Sequence, residues 1–540
     1  MSPEAPPLLL LLLLAALNSE STATPPERNS GRKFVVVFPE NIAYYYPVPS
    51  QNKVWITTLY PSTTVTINPQ ANGTTTLGNP GTRSFDVNLE LRKLNVSDPG
   101  TSLSNRTVQI TSNKNIVVQA FSVRNKSMQT ALVIPADKLG MKYFIPPISK
   151  VPKATINVSV AGMSINERGP FRLIIVNTNQ SNTVTVQGKA SKQVSLPPNY
   201  LAQIPLEDED GLQVVEAENP VAVLVAHPCA FRPLCSCGLL YAILQPARNQ
   251  AVKFPIPPAL AADAEVFVLL SESGSSSAEA FNPDAAVVET SGTAVLYRPD
   301  LVLPLIPETD FASCYVVTNI SQQQNFILIV VHNDDKDGIH VGNSPLQTLN
   351  PVWQKLNGTN YTSARLTFSS RNTVVWHESS TVGVYYVGNV SGTMFGHPAP
   401  IISSTPDYRG CILSPEVLNI PTNASSWQKS IKTCGDNSLK LVSLSGETQQ
   451  KQVCNKLSQV NGSKPQEVWI GMRRSSATGE WYWLDNPSVR YTNWDEGQPG
   501  SVDGGQCAVM SLKSNCSWRD EECCTAVRPL CYREPELLVF

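Results

Sequence analysis

Side chains able to do chemistry concentrate in two places. The first is His227, Cys229, Cys235 and Cys237, where imidazole and thiolate ligands at short spacing suit a zinc ion, while an oxidising compartment would pair the same cysteines as disulfides. The second is a run of eight cysteines from Cys411 to Cys531. Cys314 brings the total to 12, an even number that fits disulfide pairing in an exported chain. Catalytic arrangements are absent. His227, His332, His340, His377 and His397 lie scattered, and no nucleophile elbow, zinc-helix motif or phosphate loop occurs. The carboxylate pairs Asp208 with Asp210 and Asp334 with Asp335 read as solvated turns. A binding protein is expected, not an enzyme.

Covalent modification gives a third kind of site. Sequons begin at Asn72, Asn95, Asn105, Asn125, Asn157, Asn179, Asn319, Asn357, Asn360, Asn389, Asn423, Asn461 and Asn515, and each is a candidate for an N-linked glycan in the secretory pathway. Leu8–Leu17 is an unbroken apolar run followed by small and polar residues, which reads as a signal peptide over residues 1–23. It is shorter than the roughly 20 residues a membrane span needs, and no later run is long enough. A secreted, extracellular glycoprotein is expected. A net charge of −2 without a basic block points to neither a nucleic-acid partner nor an anionic membrane surface.

The elements that would position these residues change character along the chain. From residue 31 to about 400, short β-rich runs such as Phe34–Phe38, Val54–Tyr60, Ile116–Phe121, Val221–Ala226, Phe326–Val331 and Thr373–His377 are split by Pro, Gly, Asn and Ser. A weak repeat links Asn115–Phe121, Asn219–Val225 and Asn372–His377, followed by Tyr143-Phe-Ile-Pro-Pro147, Phe254-Pro-Ile-Pro-Pro258 and His397-Pro-Ala-Pro400. About three β-sandwich-like units with boundaries near 150 and 255 follow from that spacing. With its opening Gly31-Arg-Lys-Phe-Val-Val-Val-Phe38 and its Cys229–Cys237 cluster, the region resembles the amino-terminal domain of IgGFc-binding proteins. That resemblance implies an extracellular, mucosal or matrix-associated binding role, with immunoglobulin Fc as a partner by resemblance only.

After residue 403 the chain becomes rich in Trp and Cys. Trp427, Ile431 and Cys434 share one helical face, with Gly435 placed for a left-handed stop. A second helix is expected from an N-cap at Ser445, with Val453, Leu457 and Val460 as its apolar stripe. Then come Trp469-Ile-Gly-Met472, Trp481-Tyr-Trp483, Trp494, Gln498-Pro499-Gly500, Cys507, Trp518-Arg-Asp520, Cys523 and Cys531. In order and spacing, residues 408–533 resemble the C-type lectin-like domain. The expected architecture is multidomain, an all-β tandem of sandwich-like units followed by an α+β C-type lectin-like domain.

The lectin resemblance implies that Cys434 pairs with Cys531 and Cys507 with Cys523. It leaves Cys411, Cys454, Cys516 and Cys524 for two further bridges of open connectivity. It also implies a calcium site, since that oxygen-seeking ion takes six to eight ligands in general, and a cis bond before Pro499. The ligand positions are depleted. Gly500 and Gly505 have no side-chain oxygen, Arg519 stands where an Asn is usual, and only Gln498 and Asp520 keep donors. Calcium binding is therefore expected to be weak or absent, unless Asp495, Glu496 and Asp503 rebuild a displaced site. Gln498, Pro499, Asp503 and Asp520 are the candidate ligand-binding residues, and the Trp residues are expected to pack rather than stack on sugar. Recognition of glycans or glycoprotein partners, suited to mucosal innate defence, is the leading function. The alternative is a structural mucus or matrix component whose lectin-like domain makes calcium-independent protein contacts.

Overall fold

Valine and isoleucine alternate with threonine and serine through the first three-quarters of the chain, and β-branched residues of this kind pack best on a pleated surface. In the computed structural model those runs are strands, and the chain divides into two compact units, residues 1–411 with 538–540, and residues 412–537. The structure describes residues 29–43, 49–69, 73–87, 89–91, 101–125, 127–151, 158–160, 163–165, 170–207, 211–232, 236–248, 250–261, 265–320, 324–459, 465–485, 488–501, 505–513 and 515–540. The signal peptide, Asp208, Asp210, Cys235, Val460, Asp503 and the sequons at Asn72, Asn95, Asn157 and Asn461 lie outside them.

The first unit repeats one order of strands. Strands β1 (Gly31–Val36), β2 (Gln51–Thr58), β3 (Thr63–Asn68), β4 (Thr74–Leu77), β5 (Gly81–Asp86), β6 (Val108–Arg124) and β7 (Ser127–Leu132) form a seven-stranded sheet ordered β4-β3-β6-β2-β5, with β1 and β7 also on β6. The next seven are β8 (Gly140–Phe144), β9 (Arg172–Asn177), β10 (Asn182–Gln187), β11 (Ser191–Leu196), β12 (Leu201–Pro205), β13 (Val214–Arg232) and β14 (Ser236–Ile243). Their order is β11-β10-β13-β9-β12, with β8 and β14 on β13, so each strand takes the place of the one seven earlier. Both long strands change partners midway. Val108–Ile110 pairs with β1, and Ile116–Val123 with β2. On β13 the changeover falls at Asn219-Pro220, where the register with β8 shifts between Glu216 and Val221.

Two more copies are less regular. Strands β15 (Val252–Pro255), β16 (Phe267–Glu272), β17 (Ser275–Ala280), β18 (Val287–Thr290), β19 (Thr293–Arg298) and β20 (Leu301–Pro304) lack the hairpin equivalent to β3–β4, and their long strand is broken into β18 and β19. The break falls at Ser291–Gly292, where a Cβ on Gly292 would lie 1.8 Å from the Ser271 carbonyl oxygen. In the last copy β21 (Cys314–Thr318) pairs with β24 (Asn372–His377). There β22 (Gln324–His332) lies between β23 (Tyr361–Thr367) and β25 (Gly383–Val390), and β26 (Thr393–Pro398) flanks β25.

The strand order thus recurs four times. Three units with boundaries near 150 and 255 overlook the short copy at 252–304, which has no Asn-led valine strand to betray it. Two motif pairings are also corrected. Asn372–His377 corresponds to the first half of β6, not to Ile116–Phe121, and His397 closes a copy where Tyr143 opens one.

The counterpart of Tyr143 is Tyr315. The Tyr143 hydroxyl accepts from the Gly140 amide at 2.9 Å and donates to the Val221 carbonyl at 2.6 Å. The Tyr315 hydroxyl accepts from the Ala312 amide at 2.9 Å and donates to the Val382 carbonyl at 2.5 Å. Each phenol bonds one backbone amide and one backbone carbonyl, and at Tyr315 those two groups also bond each other, the Ala312 amide donating to the Val382 carbonyl at 3.0 Å. Pro135 and Pro307 stand at one spacing before the two tyrosines, and Pro246 stands at the same spacing before Phe254.

In the second unit the sequence expectations for the helices are adjusted by a residue or so. Helix α1 (Trp427–Gly435) is capped by Ser426, whose side chain accepts from the Lys429 amide, and it buries Trp427 and Cys434. Gly435 does not supply the left-handed stop. Asp436 continues right-handed and Ser438 takes the positive φ of 57°. Helix α2 (Glu447–Gln459) begins after Gly446, so Ser445 is one residue too early to cap it, and Val453 and Leu457 are buried. Both helices cover a sheet of β27 (Glu467–Arg474), β28 (Trp481–Trp483), β29 (Cys507–Ser511) and β30 (Trp518–Glu521), ordered β28-β27-β29-β30.

Candidate functional site

Alternation along β30 sends successive side chains to opposite faces of the sheet. Ala508 pairs with Asp520 and Met510 with Trp518, so Asp520 lies on the face that carries Met510, Trp483 and Val453. Arg519 pairs with Val509 and turns to the other face. There its guanidinium grips Glu467 with two parallel bonds, Nε to Oε1 at 2.7 Å and Nη2 to Oε2 at 2.5 Å, and reaches Glu521 at 2.6 Å. The pleat thus turns the Arg519 side chain away from the face that holds Asp520. The bond to Glu467 foremost, with Glu521, holds the Arg519 pKa above its ordinary value. For Glu521, burial acts to raise the carboxyl pKa, but hydrogen bonds from Thr525 and Arg519 outweigh it and the net shift is downward.

On the Asp520 face hydrogen bonds tie the long loop to β30. Gly500 donates its amide to Asp520 Oδ1 at 2.8 Å, and Asp520 donates its own amide to Gln498 Oε1 at 3.4 Å. The Gln498–Pro499 bond is cis. Asp495 donates its amide to the Trp518 carbonyl at 2.8 Å, and Gln498 donates to the Asp495 carbonyl at 2.9 Å. Asp520 is only 7% exposed, while Asp495 and Glu496 stand exposed beside it.

Gly505 has no room for a side chain. A Cβ there would sit 2.6 Å from both the backbone nitrogen and the carbonyl carbon of Glu521, so β30 fills the space that a side chain would need. Among the described residues no group of three or more His, Cys, Asp or Glu is arranged to hold a metal ion.

Aromatic residues frame the same loop. Trp469, Trp483 and Trp518 are buried. Trp518 donates its indole N–H to Gln450 at 3.1 Å, and Trp469 donates to the Ser425 carbonyl at 2.8 Å. Trp481 and Trp494 are half-buried with rings 4.8 Å apart, and Trp494 meets Trp518 edge-on at 5.8 Å. Sequence reasoning treated all five alike. Depth separates them, and depth has no local sequence signal.

Cysteine connectivity is likewise a tertiary result. Cys434 bonds to Cys531 and Cys507 to Cys523, joining α1 to the strand Cys531–Arg533 and the start of β29 to the segment just after β30. Cys454 on α2 bonds to Cys516. Cys411 leaves the expected group and pairs with Cys314, closing a loop of 97 residues within the first unit. Cys524 is free and exposed, so one extra bridge forms inside the lectin-like region rather than two. Cys229 bonds to Cys237, which removes two thiolates from the zinc alternative, and His227 Nδ1 accepts from the Cys229 amide at 3.1 Å.

Among the sequons, Asn105, Asn125, Asn179, Asn357, Asn360, Asn423 and Asn515 are exposed, and Asn389 is half-buried. Asn319 differs. Its Nδ2 donates to the Phe368 carbonyl at 3.0 Å.

Two helices over a disulfide-braced sheet, with a long loop hung on its last strands, define a class, and residues 423–533 match the model of the Lectin C-type domain. These residues are a C-type lectin domain. The domain is 26% identical over 110 residues to C-type mannose receptor 2 of Homo sapiens, which covers 20% of this chain and 7% of the receptor. It is 38% identical over 72 residues to C-type lectin 1 of Hydrophis hardwickii, covering 13% of this chain and 43% of that lectin. This chain therefore spans only a small part of the receptor relatives it matches. Human lithostathine, at 23% identity, covers 22% of this chain and 83% of its own with a TM-score of 0.21. A calcium-independent type II antifreeze protein, at 21% identity, covers 22% and 88% with a TM-score of 0.20. Among the described residues no helix is long and apolar enough to cross a membrane.

Proposed function

We propose that this chain is an extracellular recognition protein whose lectin domain binds glycans or glycoprotein partners, without calcium, on the face formed by Gln498, Pro499 and Asp520. The observation that carries the reading is the loop itself. Asp520 holds Gly500 through Oδ1 and Gln498 holds the Asp520 amide, so protein hydrogen bonds help fix the loop. Asp520 Oδ2 and the Gln498 amide are then the polar groups offered to sugar hydroxyls, and Asp503 extends the same loop in sequence. Five disulfides among the described residues suit an oxidising compartment, and with the candidate signal peptide and sequons they support secretion. The β-rich unit would be a second binding surface, with immunoglobulin Fc the partner to try first, in mucosal defence.

A glycan array probed with the full chain, in calcium and again in EDTA, tests this. Equal binding in both buffers is expected, with Asp520→Asn and Gln498→Ala each weakening it about tenfold, as loss of a polar contact of about 1.4 kcal/mol would do. Binding that appears only with calcium would sink the proposed site. Silence in both buffers would favour the second reading, a mucus or matrix component making protein contacts, which the closed space at Gly505 also suits.

A further inference from the structure

The last strands of the four copies meet. β7 packs against β14 and β26, and β20 packs against the same two strands. A narrow cleft opens where they converge, lined by Thr130, Leu132, Tyr241, Gln245, Val302 and His397 among others. His397 is 2% exposed. Its Nδ1 lies 2.7 Å from the Pro398 carbonyl oxygen, which can only accept, so Nδ1 carries the proton. Its Nε2 lies 3.1 Å from Gln119 Nε2 on β6 and accepts from that amide. The ring is thereby held neutral, and it fastens β26 of the fourth copy to β6 of the first.

Among the described residues in contact with the ring, no carboxylate compensates a positive charge. From β25 the neighbouring ionisable group is the Tyr386 phenol, with ring centroids 5.5 Å apart, and from β14 it is Tyr241. From β7 and β20 come Thr130, Leu132, Val302 and Pro304. Lys114 and Arg124 on β6 are cationic and lie further along the strand on either side of Gln119. Asp300, whose carboxylate reaches β26, is already bonded to Arg298 at 2.6 Å and to the Met394 amide at 2.6 Å.

We propose that His397 is an acid-sensitive latch on the β-rich unit: neutral, it locks the four-strand junction, and protonation at Nε2 ends its acceptance of the Gln119 amide, places a charge without a counter-ion in the junction and loosens it. Proton access is provided by the cleft. Burial lowers the His397 pKa to about 4, below the ordinary value near 6.5. The unfolded chain therefore takes the proton first. The stabilisation is complete above the unfolded pKa and is lost as pH falls from there through about 4.

The test uses the full chain from pH 7.5 to pH 4, following imidazole nitrogen resonances by NMR and the unfolding of the β-rich unit by denaturant titration. His397→Gln assigns the resonance. The expected result is a His397 ring that stays neutral and Nδ1-protonated well below pH 6. The unfolding constant of the wild type should rise roughly a hundredfold more than that of His397→Gln between pH 7 and pH 4. Parallel loosening of the two proteins, or a wild-type ring that titrates near the ordinary histidine value, would overturn the proposal. Should His397→Gln not fold, Gln119→Glu places a counter-charge opposite Nε2 and should move the titration upward by at least one pH unit. An unmoved titration in that variant would also overturn it.

Discussion

At the scale of single residues, chemistry here is decided by which neighbours a side chain has. Gly505 is the sharpest case. Gly505→Glu, which would replace a missing carboxylate, pushes a Cβ into the backbone of Glu521. It should cost about 1–3 kcal/mol of lectin-domain stability as overpacking does, and calorimetric calcium titration should show no gain in affinity. Calcium binding by a stably folded variant would refute the steric argument. Asn319 gives a second test. With its amide nitrogen spent on Phe368, it should be the unmodified sequon in glycopeptide mass spectrometry, while Asn105, Asn179, Asn357 and Asn423 carry glycans. A glycan found on Asn319 would mean that this turn forms differently in the cell.

Elements are held by devices that recur with the repeat. The phenols of Tyr143 and Tyr315 each satisfy one amide and one carbonyl where a long strand changes partners. Tyr143→Phe and Tyr315→Phe keep the ring and remove the phenol hydrogen bonds, and because the Ala312 amide keeps its bond to the Val382 carbonyl, the loss at Tyr315 should be about 0.5–1.5 kcal/mol, with Tyr143 similar or larger. Urea unfolding followed by circular dichroism measures this, and a change within error at both positions would remove the phenols from the account. The third copy already carries Phe254 at this place and is also the copy without the β3–β4 type hairpin. In the lectin domain the Glu467–Arg519–Glu521 group ties β27 to β30. The lowered Glu521 pKa makes that contribution complete above the ordinary carboxylate value and lost as pH falls below it.

For the whole molecule, cross-links set how the two compact units resist unfolding. The Cys454–Cys516 bridge closes a loop of 62 residues, for which the chain-entropy model gives about 4 kcal/mol. Replacing both cysteines with serine should lower the calorimetric transition belonging to residues 412–537 and leave that of the β-rich unit in place. Movement of both transitions together would contradict the division into two units. Acid should act the other way round, loosening the unit that holds His397 first.

Much of the lectin domain is legible because its landmarks are local. Trp and Cys at set intervals, a helical stripe through Val453 and Leu457, and the Gln498-Pro499 pair can be read without knowing any contact. In the β-rich part the strands themselves are legible, since a run such as Phe326-Ile-Leu-Ile-Val-Val331 has few other uses. Their grouping is not, because a strand pairs with partners far along the chain. The short third copy therefore leaves no local signal, and the sequence likeness of Asn372–His377 to Asn115–Phe121 does not reflect equivalent places in the sheet. The sequence by itself determined the strand-forming stretches of the first part and the C-type lectin domain that follows them. Only the tertiary structure decided that Cys411 belongs with Cys314, that Arg519 and Asp520 face opposite ways, and that His397 sits without a counter-charge among four strands. Partner choice, sheet face and burial are set by residues distant in sequence, and no local pattern records them.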